Sequence, residues 1–297
     1  MASPEVLCLG ELVWDCYPDR RFLGGAPFNV AVQLARHGRK AALLTAVGRD
    51  EPGQRALDFL AEEGIPGARV HPRLPTGTVT VAMGAQGLPT FTIHGGCAWT
   101  DLAGADPVDG APGPGAAPAP PAVLVFGGLA MHAGSNRRLL ESLLETWGGD
   151  APAVLCDLNL RPGWAEPEVV LWCLAHCRFL KVNQEEEAFL APLAGLGGPD
   201  AASGFLSAWG LRGVCTTLGP EGLAWREPGK APLALPVWSR AEGAPPVVDT
   251  VGAGDAITAA MAAGLAAGED PERFLERGRR WAAFTCGVPG ALPPRPG

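Results

Sequence analysis

The chain has 297 residues, of which 47% are hydrophobic and 18% charged, and its formal net charge is −8. This hydrophobic fraction supports a full core and excludes a largely disordered chain. The acidic balance excludes a general electrostatic attraction to nucleic acid or to anionic lipid. We therefore expect a soluble, cytoplasmic protein that binds neither nucleic acid nor a membrane, and residues 1–4 show no basic region of a secretory signal.

The eight cysteines form no CxxC pair. Several lie in apolar runs, including residues 6–9 and 154–156, where a reduced cysteine behaves as a small buried hydrophobe. We predict free cysteines and no disulfide framework.

Strands and helices alternate in the N-terminal part of the chain. Apolar runs predict strands at Val6–Leu9 and Ala41–Val47. Apolar residues at helical spacing predict helices at Phe28–Arg36 and Gln54–Glu63. Strand, helix, strand and helix in this order are typical of a parallel sheet with crossover helices.

The next segment has a different period. Thr76–Met83 and Thr90–His94 alternate polar and apolar residues, which predicts an antiparallel hairpin with one solvated face. Because such an excursion within an α/β chain usually covers something, we interpret the hairpin as a lid. Ala103–Pro121, rich in Pro, Gly and Ala, predicts a surface loop.

After this loop the alternation resumes, which predicts a single α/β domain over residues 1–297 with a small lid. The predicted elements are strands at Ala122–Phe126, Ala153–Cys156, Arg178–Val182 and Val214–Thr217, and helices at Arg137–Thr146 and Glu168–Ala175.

The segment Asp249–Asp255 is a glycine-rich turn that runs into an Ala-rich helix. Backbone N–H groups at a helix start have no partner within the helix, and together with the positive end of the helix dipole they bind anions. Asp255 falls in the first helical turn. There it would either take a proton from a nucleophile that attacks a bound phosphate or merely cap the helix, and the motif by itself favours neither interpretation.

Other motifs offer no competing function. The sequence contains no GxxxxGK[ST], no GxGxxG after a strand, no HExxH and no GxSxG. Arg273–Arg280 contains Glu276 and is interpreted as the solvated face of a helix, not as a nucleic-acid patch.

Residues 23–31 (LGGAPFNVA) and 249–255 (DTVGAGD) resemble the two signatures of the PfkB/ribokinase-like carbohydrate kinases. Residues 10–15, 25–29 and 98–101 are most similar to the fructokinase branch. Further motifs follow in the family's order over nearly the whole chain: Gly10-Glu11 with Asp15, Gly48–Asp50 with Gly53, Asp157–Pro162, Asn183–Glu186, and Thr217–Gly219 with Gly222.

The resemblance implies a ribokinase-like three-layer α/β/α sandwich with a mainly parallel central sheet. It also implies a small antiparallel β lid formed by segments 11–24 and 76–101. The implied activity is an ATP-dependent sugar kinase that uses Mg²⁺, with K⁺ as a further expected cation. Its implied partners are a small-molecule sugar and ATP, and we expect a homodimer through the lid.

The resemblance also implies roles for single residues. Asp255 would be the base for a sugar hydroxyl, and the backbone of Gly252, Ala253 and Gly254 would form an anion hole for the transferred phosphoryl group. By similarity, the substrate would be bound by Asp15, Gly25, Asn29 and Arg161, and the nucleotide by Asn183, Thr217, Gly219 and Gly222. Cations would be bound by Glu186 and Asp249. Asp249 would act with the turn at Gly290 in a monovalent-cation site.

Structural interpretations stand beside these roles. Asp15, Gly25 and Asn29 would then form a strand-end cap and a turn. Glu185–Glu187 would be a solvated acidic helix start, and Arg161 would form a surface ion pair. If Arg161 binds a ligand, its partner is either the sugar or the phosphate, and both alternatives stay open.

Two departures from the family pattern stand out. Leu129–Asn136 lacks the glutamate with which some relatives contact the sugar, which disfavours ribose. Residues 279–286 resemble a fructokinase stretch that lies beside the adenine, but Arg279 stands where that stretch has an asparagine. This difference puts the adenine contacts in question.

Fructose, phosphorylated on a primary hydroxyl, is the expected substrate. The alternatives are 2-keto-3-deoxygluconate, ribose, or a nucleoside such as adenosine, for which Trp14, Phe28 and Trp99 could supply an aromatic slot. A catalytically silent sugar-binding regulator is the alternative from another class, although Asp255 and the intact Gly252–Gly254 turn argue against it.

Overall fold

The computed structural model describes residues 4–83, 89–108, 119–197 and 201–294. The described strands are β1 (Val6–Leu9), β2 (Val13–Cys16), β3 (Arg21–Gly24), β4 (Ala41–Leu44), β5 (Ala46–Gly48), β6 (Arg69–His71), β7 (Gly77–Met83), β8 (Pro89–Ile93), β9 (Asp106–Pro107), β10 (Val123–Gly127), β11 (Ala153–Asp157), β12 (Phe179–Asn183), β13 (Gly213–Thr217), β14 (Leu223–Arg226) and β15 (Leu233–Leu235). The described α-helices are α1 (Ala26–Arg36), α2 (Glu51–Glu62), α3 (Gly134–Trp147), α4 (Pro167–Ala175), α5 (Gln184–Leu193), α6 (Ala201–Ala208), α7 (Ala253–Ala267) and α8 (Pro271–Cys286).

The central sheet has the order β15-β14-β13-β12-β11-β10-β1-β4. All pairs from β4 to β13 are parallel, and β14 and β15 extend the sheet antiparallel. Strands such as β1 and β10 are buried along their whole length, as expected where helices cover both faces of a sheet.

Two hydrophobic clusters lie on the two sides of this sheet. One includes Leu140, Val170 and Phe205 from α3, α4 and α6, and the other includes Phe28 of α1 and Met261 of α7. Helices therefore cover both faces, which confirms the three-layer α/β/α sandwich with a mainly parallel sheet.

The prediction of one strand over Ala41–Val47 is wrong. The chain leaves the central sheet after Leu44, and β5 pairs with β6 in a separate sheet that also contains β9. Thr45 O already accepts a hydrogen bond from Arg69 N at 2.9 Å, so the pairing partner changes at this residue. Both strands are buried, and an apolar run does not reveal such a change of partner.

The lid is a four-stranded sheet of order β3-β2-β7-β8. The predicted β7–β8 hairpin is antiparallel, as is β2–β3, whereas the central β2–β7 pair is parallel. Its connection at residues 84–88 lies outside the described residues, as do residues 109–118 of the predicted surface loop. Trp99, within the predicted lid segment 76–101, is instead buried in the core.

Two expectations about the chain as a whole can be compared with the structure. All eight cysteines are free, as predicted. Within the described ranges, no helix combines the length and the apolarity needed to cross a bilayer.

The parallel sheet brings the motif residues to one edge. Glu11, Asp157, Asn183 and Thr217 lie at or just beyond the carboxyl ends of β1, β11, β12 and β13. In open α/β sheets this edge is where ligands bind.

Candidate active site

The start of α7 has the geometry and the backbone N–H donors that can bind an anion. Its N-cap, Gly252, has φ 81°, and a Cβ there would lie 2.6 Å from the backbone of Ala291, so the turn requires glycine. Within the described part of the chain, the N–H groups of Gly254 and Asp255 have no hydrogen-bond partner. These donors and the helix dipole can bind a negatively charged oxygen.

Asp255 lies in this first turn and is 8% exposed. Asn29 Nδ2 donates a hydrogen bond to Asp255 Oδ2 at 2.7 Å, which joins α1 to α7 across 226 residues of sequence. Asn29 reaches this position because Gly25, at φ 109°, turns the chain into α1. The structure thus brings a predicted sugar-binding residue into contact with the predicted base.

The pKa of Asp255 is raised to about 6, mainly by burial and also by the negative charge of Asp157. The hydrogen bond from Asn29 and the positive charges of Lys181 and Arg161 oppose this shift. A carboxylate with this pKa is ionised at neutral pH yet basic enough to accept a proton.

Lys181 was missed by the sequence analysis. Its ammonium lies 3.0 Å from Asp157 Oδ1, and Thr258 Oγ1 donates to Asp157 Oδ2 at 2.6 Å. Lys181 Nζ also lies 2.8 Å from the position that a Cβ added to Gly254 would occupy, so its charge lies next to the start of α7. A lysine within the apolar strand β12 was the available signal, because lysine is rarely buried without a partner.

The pKa of Lys181 is determined by opposing effects. Burial lowers it, but the charges of Asp157, Glu186 and Asp255 raise it more, so the net shift is upward. Lys181 therefore keeps its positive charge within the core.

A second group of carboxylates lies on the lid side. Burial raises the pKa of Asp15 on β2 to about 6 and that of Glu11 to about 7, while the charge of Arg161 lowers both. Arg161 also lowers the pKa of Asp255, so one exposed guanidinium acts on three site carboxylates. Glu11 Oε1 accepts a hydrogen bond from Ala26 N at 3.3 Å, a contact that supports the start of α1 and was not foreseen.

Asn183 and Glu186 form a reciprocal capping box at the start of α5. Glu186 N donates to Asn183 Oδ1 at 2.9 Å, and Asn183 N donates to Glu186 Oε2 at 2.8 Å. Glu186 Oε1 accepts from Leu160 N at 2.7 Å and so anchors the loop in which Asn159 adopts φ 44°. Glu186 is buried, so the interpretation of a fully solvated helix start is wrong at this residue.

A cavity of about 810 Å³ extends from the anion site. It is lined by Ala253 and Gly254 together with three of the predicted nucleotide residues, Thr217, Gly219 and Gly222. Gly222 has φ 103°, and a Cβ there would lie 2.1 Å from Leu235 O, so only glycine fits. Asn183 does not line this cavity, and the described hydrogen bond of its side chain is the one within the cap.

Asp249 connects two segments near α7. Its Oδ2 accepts from Gly290 N at 2.9 Å and its Oδ1 from Val251 N at 3.1 Å, so the predicted pair of Asp249 and the Gly290 turn is in contact. Among the described residues there is no group of three or more His, Cys, Asp or Glu side chains that could hold a metal ion. A cation here would rely on backbone, phosphate or water oxygens for most of its ligands.

The aromatic slot suggested for a nucleoside is not open. Phe28 and Trp99 are completely buried, and Trp14 Nε1 donates to Pro52 O at 3.0 Å. These rings belong to the packing of the core and the lid base, so they offer no free face for stacking on a base.

The sequence profile of the family described as pfkB family carbohydrate kinase matches residues 6–296. The fructokinase of Salmonella typhimurium is 30% identical over 91% of this chain and 87% of its own length. That of Klebsiella pneumoniae is 31% identical over 96% and 92%. A crystal structure of a fructokinase double mutant from Vibrio cholerae O395, bound to fructose, ADP and potassium, superposes with TM-score 0.77 at 22% identity, covering 98% of this chain and 95% of that one.

The chain belongs to the pfkB family of carbohydrate kinases. As a member of this family it is an ATP-dependent sugar kinase.

The Lys181–Asp157 pair gives a prediction about stability. Lys181→Met leaves the Asp157 carboxylate buried without its counter-charge, and we expect the free energy of unfolding to fall by about 3–5 kcal/mol. Urea denaturation followed by circular dichroism measures this change.

The matched control is Arg55→Met, which breaks the exposed Arg55–Glu51 pair, 3.3 Å apart. Its effect should stay within about 1 kcal/mol, because exposed pairs are screened by water. Equal effects of the two variants would contradict the importance of the buried pair.

Proposed function

We propose that this chain is a fructokinase that transfers the γ-phosphoryl group of ATP to a primary hydroxyl of fructose. The observation that carries this proposal is the buried 2.7 Å hydrogen bond from Asn29 to Asp255. It supports the proposal because the amide that we assign to the sugar contacts the carboxylate that we assign as the base. The fructokinases at 30% and 31% identity support the choice of substrate.

Asp255 acts as the general base in this proposal. It takes the proton of the sugar hydroxyl while the hydroxyl oxygen forms a bond to the γ-phosphorus and the bond from that phosphorus to the bridging oxygen of ADP breaks. The N–H groups of Gly254 and Asp255, with the backbone of Gly252 and Ala253, stabilise the charge on the transferred group.

Sugar and nucleotide are bound on opposite sides of this centre. Asp15, Gly25 and Asn29 bind sugar hydroxyls, and Arg161 bonds either the sugar or the phosphate. Thr217, Gly219 and Gly222 bind the nucleotide in the cavity that they line. Asn183 contributes to nucleotide binding indirectly, through the helix cap that it forms with Glu186.

Two cations complete the proposed site. Each oxygen of Glu186 accepts one backbone N–H and keeps a second lone pair, and we propose that Glu186 holds a hydrated Mg²⁺ through its water molecules. Bound Mg²⁺ would neutralise charge on the phosphates. Asp249, which connects the segments before α7 and at Gly290, is the acidic residue proposed for a K⁺ site.

The polar groups on the sugar side favour a neutral, hydroxylated substrate. Asp15, Glu11 and Asn29 accept or donate hydrogen bonds, and the neighbouring cation Arg161 is shared among three carboxylates. A sugar acid would need a cation free for its carboxylate, and a nucleoside would need the aromatic slot that the structure closes. A silent regulator is disfavoured by the intact base and anion site.

We also propose a homodimer through the lid. Paired residues on neighbouring strands project to the same face, and Asp15 pairs with Phe22 while Val81 pairs with Phe91. Since Asp15 also pairs with Val79 on β7, two residues from Val81, all of these side chains share one face. Phe22 and Phe91 are 40% and 45% exposed there, an apolar surface that a second copy would cover.

Asp255→Asn tests the base. We expect kcat to fall by about 10²–10⁴ with fructose affinity little changed, because that is the usual contribution of a general base. Steady-state kinetics with a coupled ADP assay measures it, and the exposed Asp150→Asn serves as the control for loss of a carboxylate. Near-wild-type turnover in folded Asp255→Asn would refute the assignment.

The pH profile provides an independent test. A base works only when deprotonated, so kcat/KM for the sugar should fall as the pH drops through about 6, the pKa of Asp255. Asn29→Ala removes a hydrogen bond that lowers this pKa, so the acidic limb should move to higher pH. A profile that stays flat down to about pH 5 would contradict a base of this pKa.

A substrate panel tests the sugar. D-fructose should give the highest kcat/KM among fructose, ribose, 2-keto-3-deoxygluconate and adenosine, measured as initial ADP release with Mg²⁺ and K⁺ present. Polar groups left unpaired by the wrong sugar can discriminate by up to about 10⁴–10⁵. A tenfold preference for the sugar acid or the nucleoside overturns the fructokinase proposal, and absence of any sugar-dependent ADP release favours the silent regulator.

The dimer is tested by light scattering. The wild type should have twice the mass of the chain, and the Phe22→Ser/Phe91→Ser double variant should shift towards the monomer. Leu171→Ser, an equally exposed leucine on α4 at 40%, is the control and should leave the mass unchanged. A monomeric wild type at micromolar concentration would rule out the lid dimer.

A further inference from the structure

Arg279 on α8 lies in the wall of the nucleotide cavity. The lining of this cavity beyond the glycine turn is largely apolar and includes Val237, Trp238, Val247 and Ala282. An apolar wall of this kind suits the flat base of a nucleotide, whereas the phosphates require the helix start at Gly254. A charged guanidinium in such a wall needs an explanation.

The guanidinium is held by two carboxylates. Arg279 Nε and Nη2 donate to the two oxygens of Glu276 at 2.6 and 2.8 Å, and Nη2 also donates to Glu242 Oε1 at 3.0 Å. Nη1 donates to Pro236 O at 3.4 Å. The Arg279 side chain is 11% exposed, whereas that of Glu242 is 37% exposed, so water reaches the outer end of these charge-assisted bonds.

Glu276 and Glu242 belong to different parts of the fold. Glu276 lies on α8, one turn before Arg279. Glu242 closes a turn that follows β15, where Ser239 N and Ser239 Oγ both donate to Glu242 Oε2 at 2.8 Å. Arg279 therefore ties a preformed turn to the helix, and Trp238 is one of the residues between its attachment points at Pro236 and Glu242.

Trp238 lies directly against this ion pair. The Arg279 guanidinium carbon is 4.7 Å from the centre of the Trp238 ring, which is within the range of a cation–π contact. Arg279 thus fixes one wall of the cavity through both the turn and the ring. Because its N–H groups already point to Glu276, Glu242 and Pro236, it has little capacity to hydrogen-bond a base itself.

We propose that Arg279 is a positioning residue for the nucleotide: it holds Trp238 and the Ser239–Glu242 turn against α8, so that the base packs on a preformed wall. The inference rests on the assignment of this cavity to the nucleotide. It also accounts for an arginine at a position where the fructokinase pattern has a residue beside adenine. Arg279 acts on nucleotide affinity and not on the chemical step.

Arg279→Met and Glu242→Gln test the proposal from the two sides of the tie. We expect the Kd of Mg-ATP, measured by calorimetry, and KM for ATP to rise about tenfold in Arg279→Met, the size of effect associated with losing a hydrogen bond to a charged group. Glu242→Gln should act in the same direction with a smaller effect. For both variants, kcat and KM for fructose should change less than about twofold, because the sugar side is not touched.

Arg273→Met is the matched control. It removes the same charge from α8, but Arg273 lines an adjacent cavity with Trp281 and Phe284 and does not line the nucleotide cavity. Its Kd for Mg-ATP should match the wild type. Arg279→Lys keeps the charge without the two-pronged contacts and should recover only part of the affinity.

Two results would overturn the proposal. One is an unchanged Kd for Mg-ATP in folded Arg279→Met, and the other is an equal loss in Arg273→Met. If Arg279→Met fails to fold, the comparison of Glu242→Gln with the wild type decides, since Glu242 lies at the partly exposed end of the tie. A wild type that binds Mg-ATP but phosphorylates no fructose would refute the fructokinase and leave this binding comparison valid.

Discussion

The site depends on keeping one carboxylate charged while it is almost buried. Burial raises the pKa of Asp255, and the nearby negative charge of Asp157 acts in the same direction. Asn29, Lys181 and Arg161 oppose this, and they come from α1, β12 and the loop after β11. The balance leaves the pKa of Asp255 at about 6, and it requires all of these elements to be packed together. The fold of the sandwich is therefore a precondition for the acid–base property of a single residue.

Lys181 has a double role in this balance. It neutralises Asp157 within the core and places a positive charge beneath the helix start, where an anion is to be held. The same ammonium thus stabilises the carboxylate side of the site and adds to the positive end of α7. A lysine or arginine exposed in the cavity would attract phosphate as well, but it would be screened by water and would not be fixed relative to the helix.

The sequence predicted the features that depend on local spacing, and it failed where distant packing decides. Periodicity and turn chemistry predicted the glycine turn at Gly252, the start of α7, most buried strands and the lid hairpin. The family motifs named several of the residues that line the cavity. The end of β4 was wrong because the partner of a buried strand is not encoded in its own residues. Lys181 was missed, and Glu11 was named only as part of a motif, because their roles come from neighbours far away in sequence. Likewise, the aromatic side chains Phe28 and Trp99 gave no sign of which face would be covered.

The arrangement separates three tasks that a sugar kinase must combine. In the proposed function, backbone groups of α7 hold the phosphate, and no side-chain substitution alters these groups directly. The proposed sugar contacts lie on the lid strand β2 and at the start of α1, and the proposed wall for the nucleotide base is made by α8 and the turn after β15. Since the sugar and nucleotide walls belong to different elements and share only the anion site, residues in one wall can change without disturbing the other. Under this proposal, substitutions in β2 and at the start of α1 change the choice of sugar, whereas substitutions in α7 and β12 change the chemical step.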